Sequence, residues 1–253
     1  MEKRGKIIVL LIVILFIISL FYYFYIYKKQ LKAEERYDSP ARRLYSEGKY
    51  DESIKEFKKY IKRNPKNFLA HVGLGWNLNR KGIYDEAIES FANALKINPE
   101  RYEPYDGMGF SYYRLKIYDK SVYNYEQAAK LAPNYYGIFN GLGFSYFRLN
   151  FSEHYWNYDY KTWENKFNKS IEAFKRSIIL NPANVDGYVG LGWSYYWKEK
   201  ALTYSGNYSN AEYAFKTALN LNQNNSEIFN GLGWVSYWIN LGQPYIKRNY
   251  SQS

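Results

Sequence analysis

Two hydrophobic patterns divide the chain. The first, Ile7 to Tyr27, reads IIVLLIVILFIISLFYYFYIY, 21 residues without a charge. As a helix it would span about 31 Å, the thickness of a hydrocarbon core, so it predicts a membrane anchor over 7–27. Its ring-rich end, Phe21 to Tyr27, suits the head-group level, where amphipathic rings collect. From Glu34 onward apolar residues return at helical spacing in short blocks, punctuated by Gly and Pro. Phe68 to Arg101, FLAHVGLGWNLNRKGIYDEAIESFANALKINPER, is written again and again with a period of 34. Leu74-Gly75, Leu78, Tyr84, Ala87, Phe91, Ala94 and Pro99 mark the ruler. Such a period predicts stacked supersecondary units rather than one globular core.

On this ruler the chain has a basic tail (1–6), the anchor (7–27), a basic linker (28–33) and then the repeats. Repeat one covers 34–67. Pro40 would fall inside its first helix, so that helix is expected to start there with Ser39 as N-cap. Gly48 closes it, and Asp51 opens a second helix burying Ile54, Phe57 and Ile61. Repeats two (68–101) and three (102–135) are free of gaps. Repeat four (136–184) holds 15 extra residues at 151–165, FSEHYWNYDYKTWEN, and repeat five (185–225) about seven near 200–206. A last first-type helix, 226–241, is expected to stop at Gly242 and Pro244, leaving a polar tail, 242–253.

Within the longer insert Trp156, Tyr160, Trp163, Phe167, Ile171 and Phe174 share one helical face, which predicts that the second helix of repeat four is lengthened backwards. Trp156, Tyr160 and Trp163 are then a candidate interaction edge. Their cover is either the lengthened first helix of repeat five (Trp197, Leu202, Tyr204) or another protein or glycan. Five consecutive first helices, from repeat two on, also carry a Gly-x-Gly, such as Gly73 and Gly75 or Gly107 and Gly109. These cost helix stability, about 1 kcal/mol each, so their recurrence implies close helix–helix approach. No strand precedes them, so they are not phosphate loops.

The ruler residues and their spacing resemble the tetratricopeptide repeat, a helix–turn–helix unit, over residues 34 to about 241. The resemblance implies an all-α, right-handed superhelical solenoid: five repeats plus a sixth first-type helix, behind one N-terminal transmembrane helix. Ser in place of Ala at 53, 121 and 170, Gln223 for the closing Pro, and the two inserts depart from the family pattern. The resemblance further implies a concave groove walled by the first helices. Carried over, its wall is Trp76, Phe110, Phe144, Trp193 and Trp234, then Asn79, Tyr113, Phe147, Tyr196 and Tyr237. Arg80, Arg114, Arg148, Trp197 and Trp238 follow, with Asp106, Asn140 and Asn230. That is an aromatic strip with three successive arginines, suited to peptide recognition. The competing reading has the rings as filler between helices. The Lys and Asn clamp with which chaperone-binding members hold a terminal carboxylate is replaced here by Gly and aromatics.

Charge changes the picture less than its size suggests. The net charge is +11, but residues 1–67 hold 16 Lys/Arg against 8 Asp/Glu, and the rest only 19 against 16. The excess sits beside the anchor, where it would attract anionic lipid head groups; a nucleic-acid groove would need it along the repeats. Basic residues on the two sides of the anchor nearly balance. The six-residue tail and five Asn-x-Ser sequons (Asn150, Asn168, Asn207, Asn224, Asn249) favour repeats outside the cytoplasm. The chain has no Cys and two isolated His, His71 and His154, so no metal-ligand spacing arises. No catalytic motif is present, and no cofactor is expected. The expected function is a non-enzymatic, membrane-tethered scaffold whose groove takes a protein segment of a membrane or envelope complex, with self-association through the last helix. The alternative is an extracytoplasmic carbohydrate- or polymer-binding module using the same rings.

Overall fold

The computed structural model describes residues 13–25, 40–152, 160–202 and 207–249. All regular structure among them is helical: a helix over residues 13–25 (α1), then α2 (Pro40–Ser46), α3 (Tyr50–Arg63), α4 (Phe68–Lys81), α5 (Tyr84–Ile97), α6 (Tyr102–Arg114), α7 (Tyr118–Leu131), α8 (Tyr136–Ser152), α9 (Tyr160–Leu180), α10 (Val185–Leu202), α11 (Ser209–Leu221) and α12 (Ser226–Asn249). From α2 onward each helix packs mainly on its sequence neighbours, and each first-type helix from α4 on also touches the next one. This is the nearest-neighbour stacking of a solenoid. Every residue of α1 is exposed. Among the described residues no helix is long and apolar enough to cross a membrane, and the rest of the 7–27 stretch lies outside them.

Helix starts and stops follow from local chemistry. Asn67 caps α4, its side chain accepting from the Ala70 amide at 2.8 Å. Acidic residues open the second helices, Asp51 and Glu52 in α3, Asp85 and Glu86 in α5, where the macrodipole favours them. Gly48 (φ 75°) and Gly82 (φ 79°) end α2 and α4 in the left-handed region. Lys116 occupies the equivalent place after α6 at φ 62°, a conformation that strains a side chain with a Cβ. On the same ruler Asn150 and Glu199 replace that stop, and there the helix continues: α8 runs 17 residues and α10 runs 18, against 14 for α4. The inserts therefore lengthen helices. The second helix of repeat four also starts early, α9 having 21 residues.

The glycine pairs have a more particular role than close backbone approach. One aromatic ring from each of α5, α7, α9 and α11 lies between two of them, and Phe57 of α3 meets one. A Cβ on Gly75 would stand 2.6 Å from the Phe91 ring, and one on Gly107, in the next repeat, 2.2 Å. Phe57, Tyr125, Phe174 and Phe215 meet the following repeat's first glycine in the same way (Gly73, Gly141, Gly190, Gly231). Tyr125, Phe174 and Phe215 also meet their own repeat's second glycine (Gly109, Gly143, Gly192). All five rings are at most 4% exposed. Each ring thus holds its own helix pair together and clips it to the next.

The serines that depart from the family pattern are likewise explained. Ser121 Oγ donates to the Gly109 carbonyl and lies 2.8 Å from Ser145 Oγ of the next repeat; Ser170 Oγ donates to Ser194 Oγ at 3.0 Å. Ser53 Oγ donates to the Ala41 carbonyl at 2.7 Å. These hydroxyls are fully buried and satisfied, so a small polar group stands in for a methyl without penalty.

The last helix corrects an expectation. Rather than stopping at Leu241, α12 runs through Gly242 and Pro244 to Asn249. A proline in a helix forfeits its own N–H bond and crowds the carbonyl four residues back, which bends a helix as readily as it ends one.

Candidate ligand groove

The face formed by α4, α6, α8, α10 and α12 carries the expected wall, but its members divide into three kinds. The first are half-buried rings with one side on the core. Trp76 sits edge-on to Phe91 at 5.6 Å and tilts against Phe110 at 6.1 Å. Phe144 packs on Phe174 at 4.9 Å, and Trp193 on Phe215 at 5.3 Å. Trp76, Phe144 and Trp193 each rest on the clip ring of their own repeat. Tyr113 leans on Tyr118, and Phe147 on Phe151 and Phe167.

The second kind is structural. Asn79, 4% exposed, donates to the Gly107 carbonyl at 3.2 Å and accepts from Ser111 Oγ at 2.7 Å. It staples α4 to α6 and offers a ligand nothing. Tyr196 is 2% exposed and its hydroxyl accepts from Trp238 Nε1 at 3.1 Å; burial pushes its ionisation upward. Asn140 accepts from Asn184, whose amide also donates to Ser177 Oγ at 2.8 Å.

The third kind is free to act. Arg80, Arg114 and Arg148 are exposed, 34 residues apart, and none forms an ion pair among the described residues. Tyrosines support them from below. Arg80 Nε donates to the Tyr45 hydroxyl at 3.2 Å, the Arg114 guanidinium lies 5.5 Å from the Tyr84 ring centre, and the Arg148 charge reaches Tyr118. A guanidinium stacked on a ring keeps its outer edge for a carboxylate. Trp234 (47% exposed) and Tyr237 (53%) stand open at the far end.

Two hollows concentrate these groups. One, of about 620 Å³, has Tyr45, Leu69, Trp76, Arg80 and Asp106 among its lining. The other, of about 330 Å³, is lined by Arg148, Trp193, Tyr196, Trp197, Lys200 and Trp234 with Phe147 and Glu227. In the second, the Lys200 ammonium sits 4.6 Å from the Trp197 ring centre, while Trp193 Nε1 donates to Glu227 at 3.2 Å. Tyr45 and Lys200 are absent from the wall expected on sequence grounds. Tyr45 sits at place twelve of repeat one, so the ruler could have found it. Lys200 falls where the sequence suggests an insert, whereas α10 carries it on as helix. Trp156 lies outside the described residues; Tyr160 and Trp163 belong to α9, with their side chains outside the description. Among the described residues no group of three His, Asp or Glu is placed to hold a metal.

Asp106 is the one acid in the first hollow. It makes no hydrogen bond or ion pair among the described residues, and burial, with the Glu103 charge adding, pushes its carboxyl from 3.8 up to about 7. The fold therefore favours its protonated form. That stabilisation is fully present below about pH 4 and is lost as pH rises towards 7. Asp106→Asn is expected to unfold later than the parent at pH 8, by on the order of 2 kcal/mol once partial solvent exposure is discounted, with the gap closing near pH 4. Urea midpoints at the two pH values check this; an equal gap at both would contradict it.

Residues 41–102 match the family model of the tetratricopeptide repeat. That segment resembles tetratricopeptide repeats. The solenoid beyond them shares the fold. MamA is similar over 74% of this chain and 96% of its own, at 22% identity and a TM-score of 0.59. YrrB, described as a TPR protein with an unusual peptide-binding site, covers 79% and 96% at 18% identity and 0.56. A thermophilic TPR protein of Thermus thermophilus covers 78% and 95% at 15% identity and 0.54. The sequence matches no curated protein. At these identities the likeness is one of tetratricopeptide architecture.

Proposed function

We propose that this tetratricopeptide solenoid is a non-enzymatic scaffold that holds an extended, acidic segment of a partner protein along the α4–α12 face. The observation that carries the reading is the row Arg80, Arg114, Arg148: three exposed guanidinium groups at the repeat spacing, backed by tyrosines and left without carboxylate partners among the described residues. The two aromatic hollows flanking the row supply apolar contact. YrrB, with its peptide-binding site, supports the reading that this architecture can hold a peptide.

A fluorescein-labelled peptide alternating Glu with Leu is expected to bind the full chain with a strong salt dependence. Arg114→Glu is expected to weaken it about 10-fold or more, and Trp193→Ala about 3-fold. A second reading, stacking on sugars, is favoured by the second hollow, where Trp193, Trp197 and Trp234 meet. It predicts the reverse order with chitohexaose as probe: loss with Trp193→Ala and none with Arg114→Glu. Peptide binding indifferent to Arg114→Glu would sink the first reading.

The scaffold is proposed to be tethered. Residues 13–25 form a helix whose side chains are apolar apart from Ser19 and the tyrosine hydroxyls, and all are exposed, a surface that water does not suit. With Ile7 to Ile12 and Ile26–Tyr27 added, the stretch reaches a bilayer's thickness. The basic residues after it would rest on anionic head groups and the repeats face away from the cytoplasm. Protease treatment of intact cells carrying a C-terminal tag is expected to remove the tag; full protection until the inner membrane is lysed would overturn the outward placement. Release of the chain by alkaline carbonate would overturn the anchor.

A further inference from the structure

Of the ten paired glycines on α4, α6, α8, α10 and α12, nine are met by a clip ring: a Cβ on any of them would fall 2.2 to 2.9 Å from a Phe or Tyr. The tenth, Gly233, has nothing within 4 Å. No second-type helix follows α12 among the described residues to supply its ring. The same helix face shows an unused ring: Phe229, one turn before Gly233, is 53% exposed. Ser226, Ser236 and Asn240 continue this face, all exposed and uncharged. An end face of a solenoid is normally kept polar and charged. The opposite end is charged, α2 exposing Arg42 and Arg43, whereas α12 leaves the Phe229 ring open among uncharged residues.

We propose that the outer face of α12 pairs with the same face of a second copy, the two helices antiparallel about a two-fold axis. Phe229 of each chain then seats on Gly233 of the other. The ring and its seat lie four residues apart on one helix face, so one antiparallel register satisfies both contacts at once, as an isologous interface requires. The contact repeats between chains what Phe91 and Gly107 do within one. Over Ser226–Ser236, the part of the face that overlaps its counterpart in this register, no charge opposes it. A head-to-tail array is disfavoured because α2 has no exposed ring to offer and itself exposes two arginines. The four residues of this sequence after Asn249 reach about 14 Å at most, whereas Gly233 lies about 24 Å back along α12. One helix pair is small beside the roughly 800 Å² per partner of a standard interface, so the dimer dissociates in the range of about 10 μM.

The test uses the full chain in detergent micelles, sedimented from about 1 to 100 μM, and a bis-maleimide cross-linker. The chain has no Cys, so introduced thiols are the only targets. Ser226→Cys/Ser236→Cys places its thiols about 15 Å apart on one helix and opposite their counterparts across the proposed axis. It is expected to give a covalent dimer at least about 5-fold above Lys96→Cys, on a distant site. Adding Gly233→Phe, which fills the empty seat with the chain's own ring, is expected to abolish the dimer in both assays with the helical circular dichroism retained. Phe229→Ser should do the same and serves if Gly233→Phe misfolds. Dimer that survives both substitutions arises elsewhere, in the apolar N-terminal helix for instance, and overturns the proposal. So does a monomer up to 100 μM, which would assign the face to a different protein.

Discussion

Phe91→Ala is expected to cost about 4 kcal/mol and to break the cooperativity of unfolding. The ring is fully buried between Gly75 and Gly107, with Trp76 edge-on at 5.6 Å. A truncated core ring costs about 3–5 kcal/mol, towards the upper end where neighbours cannot collapse into the hole. Here the two walls are glycines, which have no side chain to move inward. The loss also falls on a joint. In a solenoid the coupling between repeats is what makes them unfold together, and this ring is the clip between α4–α5 and α6. Urea unfolding followed by Trp fluorescence, which senses Trp76, is expected to show an early transition separated from that of the C-terminal repeats. A single sharp transition moved by less than about 1 kcal/mol would contradict the clip.

Gly107→Ala is expected to destabilise by about 2–3 kcal/mol, although alanine favours helix by about 1 kcal/mol over glycine. The new methyl would stand 2.2 Å from the Phe91 ring, which Gly75 blocks on its other side. The matching change at the chain's far end reverses sign. Gly233→Ala meets nothing within 4 Å, so the propensity gain is kept and the chain should be more stable by up to about 1 kcal/mol. Denaturant midpoints of the two variants decide it. Two losses of similar size would mean that the glycines serve the backbone rather than the rings.

Much of this architecture is legible in the sequence because helix pairs announce themselves locally. The period, the closing glycines Gly48 and Gly82, and the acidic first turns of α3 and α5 are short-range signals. So is the lengthened α9, read from the stride of its apolar face. What escapes is relational. Ser121 and Ser145 are two unremarkable serines until the stack brings them to 2.8 Å. The glycines suggest close approach, but that a ring rather than a backbone does the approaching requires three dimensions. In the groove, position alone does not separate Trp76, which keeps a free side, from Asn79, which spends both polar ends on α6. Helix α12 passes Pro244 because a proline can bend a helix rather than end it, so the residue type alone does not place the boundary.

The clip also settles where this chain can change length. From each ring to the glycine it meets in the next repeat the distance is always sixteen residues: Phe57 to Gly73, Phe91 to Gly107, Tyr125 to Gly141, Phe174 to Gly190, Phe215 to Gly231. From a repeat's second glycine to its own ring the count is sixteen twice, then thirty-one from Gly143 to Phe174 and twenty-three from Gly192 to Phe215. One arm of every unit is invariant and the other elastic. Foreign loops grafted after Gly82 or Lys116 should therefore leave the array standing, whereas a single residue added after Asn98 would throw Phe91 off Gly107, and one added after Ala132 would throw Tyr125 off Gly141.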